Sequence, residues 1–392
     1  MHMIFLALIY LAFISLGLPD SLLGSLWPVM NVDFGVPVGN AGFISMIVSA
    51  GTIISSLFSH RAILRFGTGR VTVVSVAMTA VALLGFSLSP SYLWLLACAI
   101  PLGLGAGAVD SGLNEFVAEH YEAKHMNWLH CFWGVGAMLG PVLVSALMQW
   151  GHSWRSGYSS ISIIQFTLVA LLLFSLPMWK KYEAPSAGHA EAVSGSRAKY
   201  GLLAPLRAKG AVVAMMTFFL YITVESLMIL WGASYLVQTK GIPPENAAGW
   251  VSLFFFGITA GRMLSGFISI KFSNEALIRG GAILVIAGII LMLLPLPSFV
   301  TICAFLIIGL GLAPIYPAML HQTPVYFGKE NAQATMGLQM AFAYTATTVM
   351  PPLFGQVFAH TSFSLMPYVL LVGSVVLLSC TVRLAMIAKK RA

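Results

Sequence analysis

Charge is what this sequence has least of. Of 392 residues only 8% are Asp, Glu, Lys or Arg, against 59% hydrophobic, and the mean hydropathy is +0.91. A soluble domain carries about 25% charged residues, so this chain cannot cover a water-facing surface of its own size. Cysteine is scarce as well. Cys98, Cys131, Cys303 and Cys380 stand apart, mostly inside apolar runs, without the spacing of a disulfide or metal framework. No phosphate-cradling G-x-x-x-x-G-K-[ST] loop, D-D-x-x-D or H-E-x-x-H occurs, which leaves a membrane-embedded enzyme without a motif. His120, His125 and His130 are five apart, not the i, i+4 spacing that sets two imidazoles on one helix face, so no metal and no cofactor is expected. The start, "MHMIFLALIYLAFISLGLPD", lacks a basic n-region and an A-x-A-like cleavage site, and reads as a first span rather than a removed signal. The ten-residue alternation of a membrane β-barrel is missing too.

What is there is a succession of apolar runs, most of them long enough to cross about 30 Å of hydrocarbon at 1.5 Å per residue. The expected fold is an all-α polytopic membrane protein with twelve spans, near 3–30, 38–60, 70–89, 92–121, 125–150, 156–179, 209–238, 246–270, 276–295, 298–326, 331–359 and 363–388. One long polar interruption, residues 180–208, is rich in Ser, Ala, Gly and Lys. It reads as a flexible linker between a first half, 1–179, and a second, 209–392.

The net charge of +8 falls in short loops rather than on one face, so it determines topology and does not recruit nucleic acid. Arg61, Arg65 and Arg70 share a side with Lys180, Lys181, Arg197, Lys199, Arg207, Lys209, Lys271, Arg279, Lys329 and the final "KKR". The opposite loops offer Arg155 and Lys240. The asymmetry predicts a multi-pass protein of the cell (inner) membrane with both termini and the linker cytoplasmic.

An internal repeat underlies the two sets of six. "GVPVGNAGFISMIVSAGTIISSLFSHRAILRF" from Gly35 pairs with "GIPPENAAGWVSLFFFGITAGRMLSGFISIKF" from Gly241 at an offset of 206. Gly35, Pro37, Asn40, Ala41 and Gly51 meet Gly241, Pro243, Asn246, Ala247 and Gly257, and Gly103 and Gly105 meet Gly309 and Gly311. Two parallel six-helix repeats resemble the plan of the major facilitator superfamily. That resemblance implies two pseudo-symmetric bundles around a central cavity, a substrate site near the midplane and alternating access. The loop motif G-x-x-x-D-R-x-G-R-R of that superfamily is answered by "HRAILRFGTGR", which keeps Arg65, Gly67 and Arg70 but has His60 for the leading Gly and Leu64 for the acid.

Four carboxylates fall inside predicted spans: Asp20, Asp110, Glu115 and Glu225. A charge at that depth costs about 2.5–3.5 kcal/mol or more, so each faces a cavity or a partner. Desolvation disfavours the charged form, which lets such an acid carry a proton. Asp110 and Asn114 lie one turn apart on one face, beside the small residues Gly103, Gly105 and Gly107. An acid plus an amide suits sugar hydroxyls, which donate and accept, although a structural helix–helix hydrogen bond uses the same atoms. Asp20 follows Pro19, a helix breaker, and Glu225 sits at an offset of 205 from it, at nearly equivalent depth in the other half. His130, with Asn127 one turn earlier, is a titratable neighbour or a packing histidine. Tyr221, Trp231, Tyr316, Gln322, Gln339 and Tyr344 are candidate cavity residues of the second half, each alone equally at home in packing. Arg65, Arg70, Arg262 and Glu115 read as gating residues, with Arg262 placed near the cytoplasmic end of its span.

"GLGAGAVDSGLNEFV" followed by "NWLHCFWGVGAMLGP" resembles the fourth and fifth helices of the fucose/glucose/galactose–proton symporter group. The resemblance implies proton coupling and sugar binding by Asp110, with Asn114 one turn on, and by Asp20. It departs at two positions, where the group's Asn falls on Trp133 and its Gln on His130. The reading is a secondary transporter, expected to be monomeric, that couples protons to a small polar solute such as a hexose or deoxyhexose. The alternative is a proton-driven exporter of amphipathic compounds, for which the 25 Phe and 20 Met would supply a greasy lining. A sensor that has kept a transporter fold is a further possibility.

Overall fold

The computed structural model describes residues 2–179 and 208–389; the side chains of residues 2–4, 123, 124, 127, 329–331, 333 and 389 lie outside that description. The expected linker therefore falls, at 180–207, outside the described residues. Among them there is no strand, and eleven stretches are long and apolar enough to cross a membrane. In order these are Phe5–Asp33, Val38–Phe66, Thr68–Ser87, Tyr92–His120, Trp128–Gln149, Trp154–Trp179, Ala211–Lys240, Pro244–Ile268, Asn274–Leu293, Ser298–Phe327 and Phe363–Ala388. The helix Lys329–His360 completes twelve as the eleventh span. It is less apolar than the others. Its Thr345, Thr347 and Thr348 hydroxyls donate to the carbonyls of Ala341, Ala343 and Tyr344, which lets polar residues sit along a span.

Two spans are broken. The first consists of helices His2–Asp20 and Leu22–Asp33, joined at Ser21. Pro19 cannot donate to the carbonyl four residues earlier. That carbonyl, Ser15 O, instead accepts from the Gln165 amide of the sixth span at 2.9 Å, and Gln165 Oε1 accepts from the Thr79 hydroxyl of the third. The tenth span was expected as one helix. It is two, Ser298–Leu312 and Ile315–Phe327, parted at Ala313 and Pro314. Pro314 again removes an interior donor.

The repeat is visible in the packing. A methyl built on Gly51 would lie 3.2 Å from Gly103 Cα, and one on Gly257 would lie 3.1 Å from Gly309 Cα. Gly105 likewise meets Ser75 as Gly311 meets Gly281. Each contact is carried onto its counterpart by the offset of 206. Small residues let these backbones approach where apolar side chains gain nothing from leaving lipid. Thr52 and Ser56 hydroxyls tie the second span to Gly103 and Gly107 carbonyls of the fourth, at 3.3 and 3.2 Å.

The ends of the molecule differ. We call the end carrying the termini proximal and the opposite end distal. At the distal end the two bundles are in contact: Gly24 meets Ile229 and Leu230, Gly39 meets Gly355, and Gly42 meets Pro352. The fifth and eighth spans pack together along their length, with Ser145 Oγ donating to Glu245 O at 2.6 Å. Proximally, among the described residues, no comparable packing joins the fourth span to the tenth or eleventh. Leu57, Phe58 and Tyr344 are exposed there. The space between the bundles is closed distally and open proximally.

Candidate substrate and proton site

Asp20 stands at the break of the first span, beside the open space. It is midway along a span and surrounded by protein, yet exposed. Its Oδ2 accepts from the Trp133 indole N–H of the fifth span at 2.8 Å. On the fourth span Asn114 Nδ2 donates to Asp110 Oδ1 at 3.0 Å and to the Asp110 carbonyl at 2.9 Å. The remaining Asn114 oxygen is buried without a hydrogen-bond partner among the described residues. Asp110 lies within electrostatic reach of Asp20 across the bundle, and of Tyr316 and Tyr344 in the other half. Asp110 and Tyr316 are themselves related by the offset of 206, so the repeat sets an acid opposite a phenol.

The second half contributes a matching group. Glu225, at the middle of the seventh span, accepts from Tyr221 OH at 3.1 Å and lies 3.8 Å from the Arg262 guanidinium of the eighth. Arg262 also lies over the Trp133 ring, 5.6 Å from its centroid. The Tyr221 and Tyr316 rings are 6.0 Å apart, and Tyr316 OH meets Met340 Sδ at 3.2 Å. A continuous line of contacts therefore runs from Asp20 through Trp133 and Arg262 to Glu225 and Tyr221, crossing from one bundle to the other. His130 is exposed near this line, edge-on to Phe13 and within reach of Arg262.

Chemically the arrangement offers three carboxylates, one guanidinium, an amide, and aromatic faces with hydroxyl tips where the two halves meet. Those groups can accept and donate to hydroxyls, stack on a ring, and take up protons. Among the described residues no cluster of three His, Cys, Asp or Glu could hold a metal.

The sequence profile of the Major Facilitator Superfamily matches residues 9–351, with a second match over 213–391. The chain belongs to the major facilitator superfamily. It is 23% identical over 329 residues to the glucose/mannose transporter GlcP of Bacillus subtilis, covering 83% of this chain and 81% of that one. It is 25% identical over 284 residues to bypass of stop codon protein 6 of Saccharomyces cerevisiae, covering 67% of this chain. The match spans little more than half, 56%, of the yeast protein's length. A solved D-xylose–proton symporter has the same fold, with a TM-score of 0.74 at 16% identity over 96% of each chain. The protein is thus a multi-pass membrane protein whose family and fold are those of transporters rather than enzymes.

The other residues singled out in sequence do not gather at the transporter's centre. Trp231 is buried distally, donating to Pro351 O at 3.0 Å and packing on Phe363. Gln339 is buried and accepts from the Thr323 hydroxyl at 2.9 Å, with Gln322 buried nearby. The Asn127 side chain lies outside the described residues. Arg65 and Arg70 are exposed proximally, Arg65 over the Phe66 ring. Glu115 pairs with His60 at 2.9 Å, so the residue standing in for the motif's leading Gly holds the second span to the fourth.

Arg262 is deeper than its place in the sequence implied. Its Cα is six residues from the end of its helix, about 9 Å. Helical side chains lean toward the N-terminus, here the distal side, which carries the guanidinium to the level of Glu225. Trp133 was not among the expected site residues. The signal that marks it is that it occupies a polar position of the resembled symporter group.

Proposed function

We propose that the transporter carries out proton-coupled symport of a small polar solute, a hexose or deoxyhexose, by alternating access. One observation carries the reading: Asp20 and Asp110, on the first and fourth spans of one bundle, lie within electrostatic reach of each other, each held by a neutral N–H donor, Trp133 or Asn114, with Tyr316 and Tyr344 of the other half within reach of Asp110. Two ionised carboxylates in one low-dielectric space repel. A proton on either removes that repulsion, and with it the cost of enclosing the site when the proximal end closes. Sugar hydroxyls fit acceptors, amide donors and aromatic faces. The similarity to a glucose/mannose transporter supports the same class. The asymmetry of Lys and Arg supports a cell-membrane orientation with the proximal end cytoplasmic, so the conformation described is inward-open.

The test is uptake of labelled hexoses, deoxyhexoses and pentoses into proteoliposomes under an imposed inward proton gradient. Gradient-driven accumulation of one sugar, abolished by a protonophore and competed by the unlabelled compound, is the expected result. Folded protein that accumulates none of them would refute the sugar, and outward movement of amphipathic compounds would replace symport by export.

A further inference from the structure

A cavity lies inside the second bundle at its proximal end, apart from the space between the bundles. The seventh, ninth, tenth, eleventh and twelfth spans wall it. The centre of a water molecule can range over about 20 Å³ of it. One water needs about 10–15 Å³ by the same measure, so the cavity takes more than one water, or a solute of a few heavy atoms. In the first bundle the corresponding place is filled. There the starts of the first and third spans meet the ends of the fourth and sixth, and the buried Trp179 indole occupies the junction. Its ring packs on Phe5 at 4.8 Å and on Phe116 at 5.0 Å, and a methyl built on Gly69 would lie 2.6 Å from Trp179 Cγ. At the offset of 206 the partners of Gly69 and Phe116 are Glu275 and Gln322, so the second bundle carries polar groups where the first carries an aromatic plug.

The lining states what would bind. Gln339 is only 3% exposed, and its oxygen accepts from the Thr323 hydroxyl at 2.9 Å. Its amide nitrogen borders the cavity with no hydrogen-bond partner among the described residues. A buried donor left unmade is costly, so this nitrogen calls for an acceptor. The Thr217 and Thr381 hydroxyls each donate to a carbonyl of their own helix at 2.7 Å, which leaves their oxygen lone pairs free to accept. Phe218 and Met319 supply apolar walls. At the proximal rim Glu275 and Arg279 neutralise each other at 3.5 Å, and Tyr326 OH donates to Glu275 at 3.3 Å. Donors and acceptors without net charge, beside apolar walls, match a short carbon chain carrying hydroxyls. A lone carboxylate or ammonium would be desolvated there without a counter-charge of its own. We propose that this cavity is a second solute site, for a glycerol-sized neutral polyol. It holds whatever solute the centre carries. Its walls touch the centre: the Phe218 ring lies edge-on to Tyr316 at 5.8 Å, and Met319 is one turn from Tyr316 on the same half-helix. Occupancy of one site therefore alters affinity at the other, and reciprocally.

The experiment titrates glycerol into the full chain in lipid nanodiscs and reads the carbon-13 methyl resonances of its methionines. Met319 lines the cavity, and Met340 lies against Tyr316 at the centre. Each is assigned as the resonance lost when it is replaced by Leu. The expected result is a saturable shift of Met319 with a millimolar midpoint, as suits so small a ligand. Gln339→Leu removes the donors, leaves the Thr323 hydroxyl on the Met319 carbonyl, and should raise the midpoint about tenfold. Thr217→Val keeps the shape of the wall and loses an acceptor, and should raise it roughly threefold. Because it is isosteric, it carries the test if Gln339→Leu does not fold. Acetate and propylammonium should not displace glycerol. A Met319 shift that stays linear in concentration is a solvent effect and would overturn the site. So would a midpoint unaltered in both folded variants, or a saturable shift confined to Met340, which would put the polyol in the centre. Displacement by acetate at a lower concentration than glycerol itself needs would overturn the neutral polyol in favour of an anion.

Discussion

Placing a methyl at Gly42 should drive the transporter out of its proximally open conformation while leaving each bundle folded. The Cβ would lie 2.9 Å from Pro352 Cβ, and one at Gly24 would lie 3.0 Å from Leu230 Cα. Atoms of a real side chain do not tolerate such contacts with a neighbouring backbone. Both contacts join one bundle to the other, so relief comes from parting the bundles distally rather than from unfolding either. Overpacking costs about 1–3 kcal/mol at each site. At 1.4 kcal/mol per factor of ten, each alanine disfavours the distally closed form by roughly 5- to 150-fold. The two contacts share no neighbouring residue, so their costs add. A preference of about ten to one for the present conformation would then fall to between roughly 2:1 and 1:15 with one substitution, and be reversed by two even at the low end. The assay is double electron–electron resonance between spin labels at Val32 and Leu296, exposed positions at the distal ends of the two halves. In Gly24→Ala with Gly42→Ala the distances should lengthen. Gly103→Ala is the control, because its Cβ would meet Val48 inside one bundle. It should lower thermal stability and leave the distances alone. Unchanged distances in the folded double variant, or an equal shift in the control, would refute the reasoning.

Asp110→Asn should lose concentrative uptake and keep some exchange of substrate across the membrane; full proton-driven accumulation by this variant would remove Asp110 from the coupling. Trp133→Phe keeps a ring under Arg262 but leaves Asp20 without its indole donor. A hydrogen bond to a charged group contributes about 1.5–3 kcal/mol, so KM for the transported sugar should rise at least tenfold at unchanged folded yield, read by initial rates. Gln165→Leu strands the Ser15 carbonyl in a buried place, at about 1–3 kcal/mol, while the Thr79 hydroxyl keeps the Val76 carbonyl as acceptor. Its loss of thermal stability should be partly rescued by Pro19→Ala, which returns an N–H to Ser15. No rescue would mean that the first span is not broken for the reason given.

The repeat made the fold legible, because a constant offset carries structural information that hydropathy alone does not. The spans related by 206 pack through the same glycines, and the acids at Asp20 and Glu225 do lie at similar depth on the first and seventh spans. The symmetry stops being informative where the site begins. The repeat partner of Arg262 is Ser56, whose hydroxyl bonds the Gly107 carbonyl, and the partner of Trp133 is Gln339, buried against Thr323. Both central groups are therefore departures from the repeat, and a reading that sought matched pairs passes over them. Their spacing in sequence, 129 residues, carries no periodic signal either, since they meet only through the packing of the fifth span on the eighth. Other candidates are held away from that line of contacts by their neighbours. Trp231, Gln322 and Gln339 are polar-tipped residues of the expected type, but a helix face is fixed by its neighbours. Trp231 is turned by the backbone of Pro351, and Gln339 by a hydroxyl on the tenth span. A residue that breaks the repeat at mid-depth in a duplicated transporter is thus a stronger candidate for substrate chemistry than one that keeps it. The two halves share the work of forming a bundle, and what differs between them remains to be accounted for by the solute and the proton.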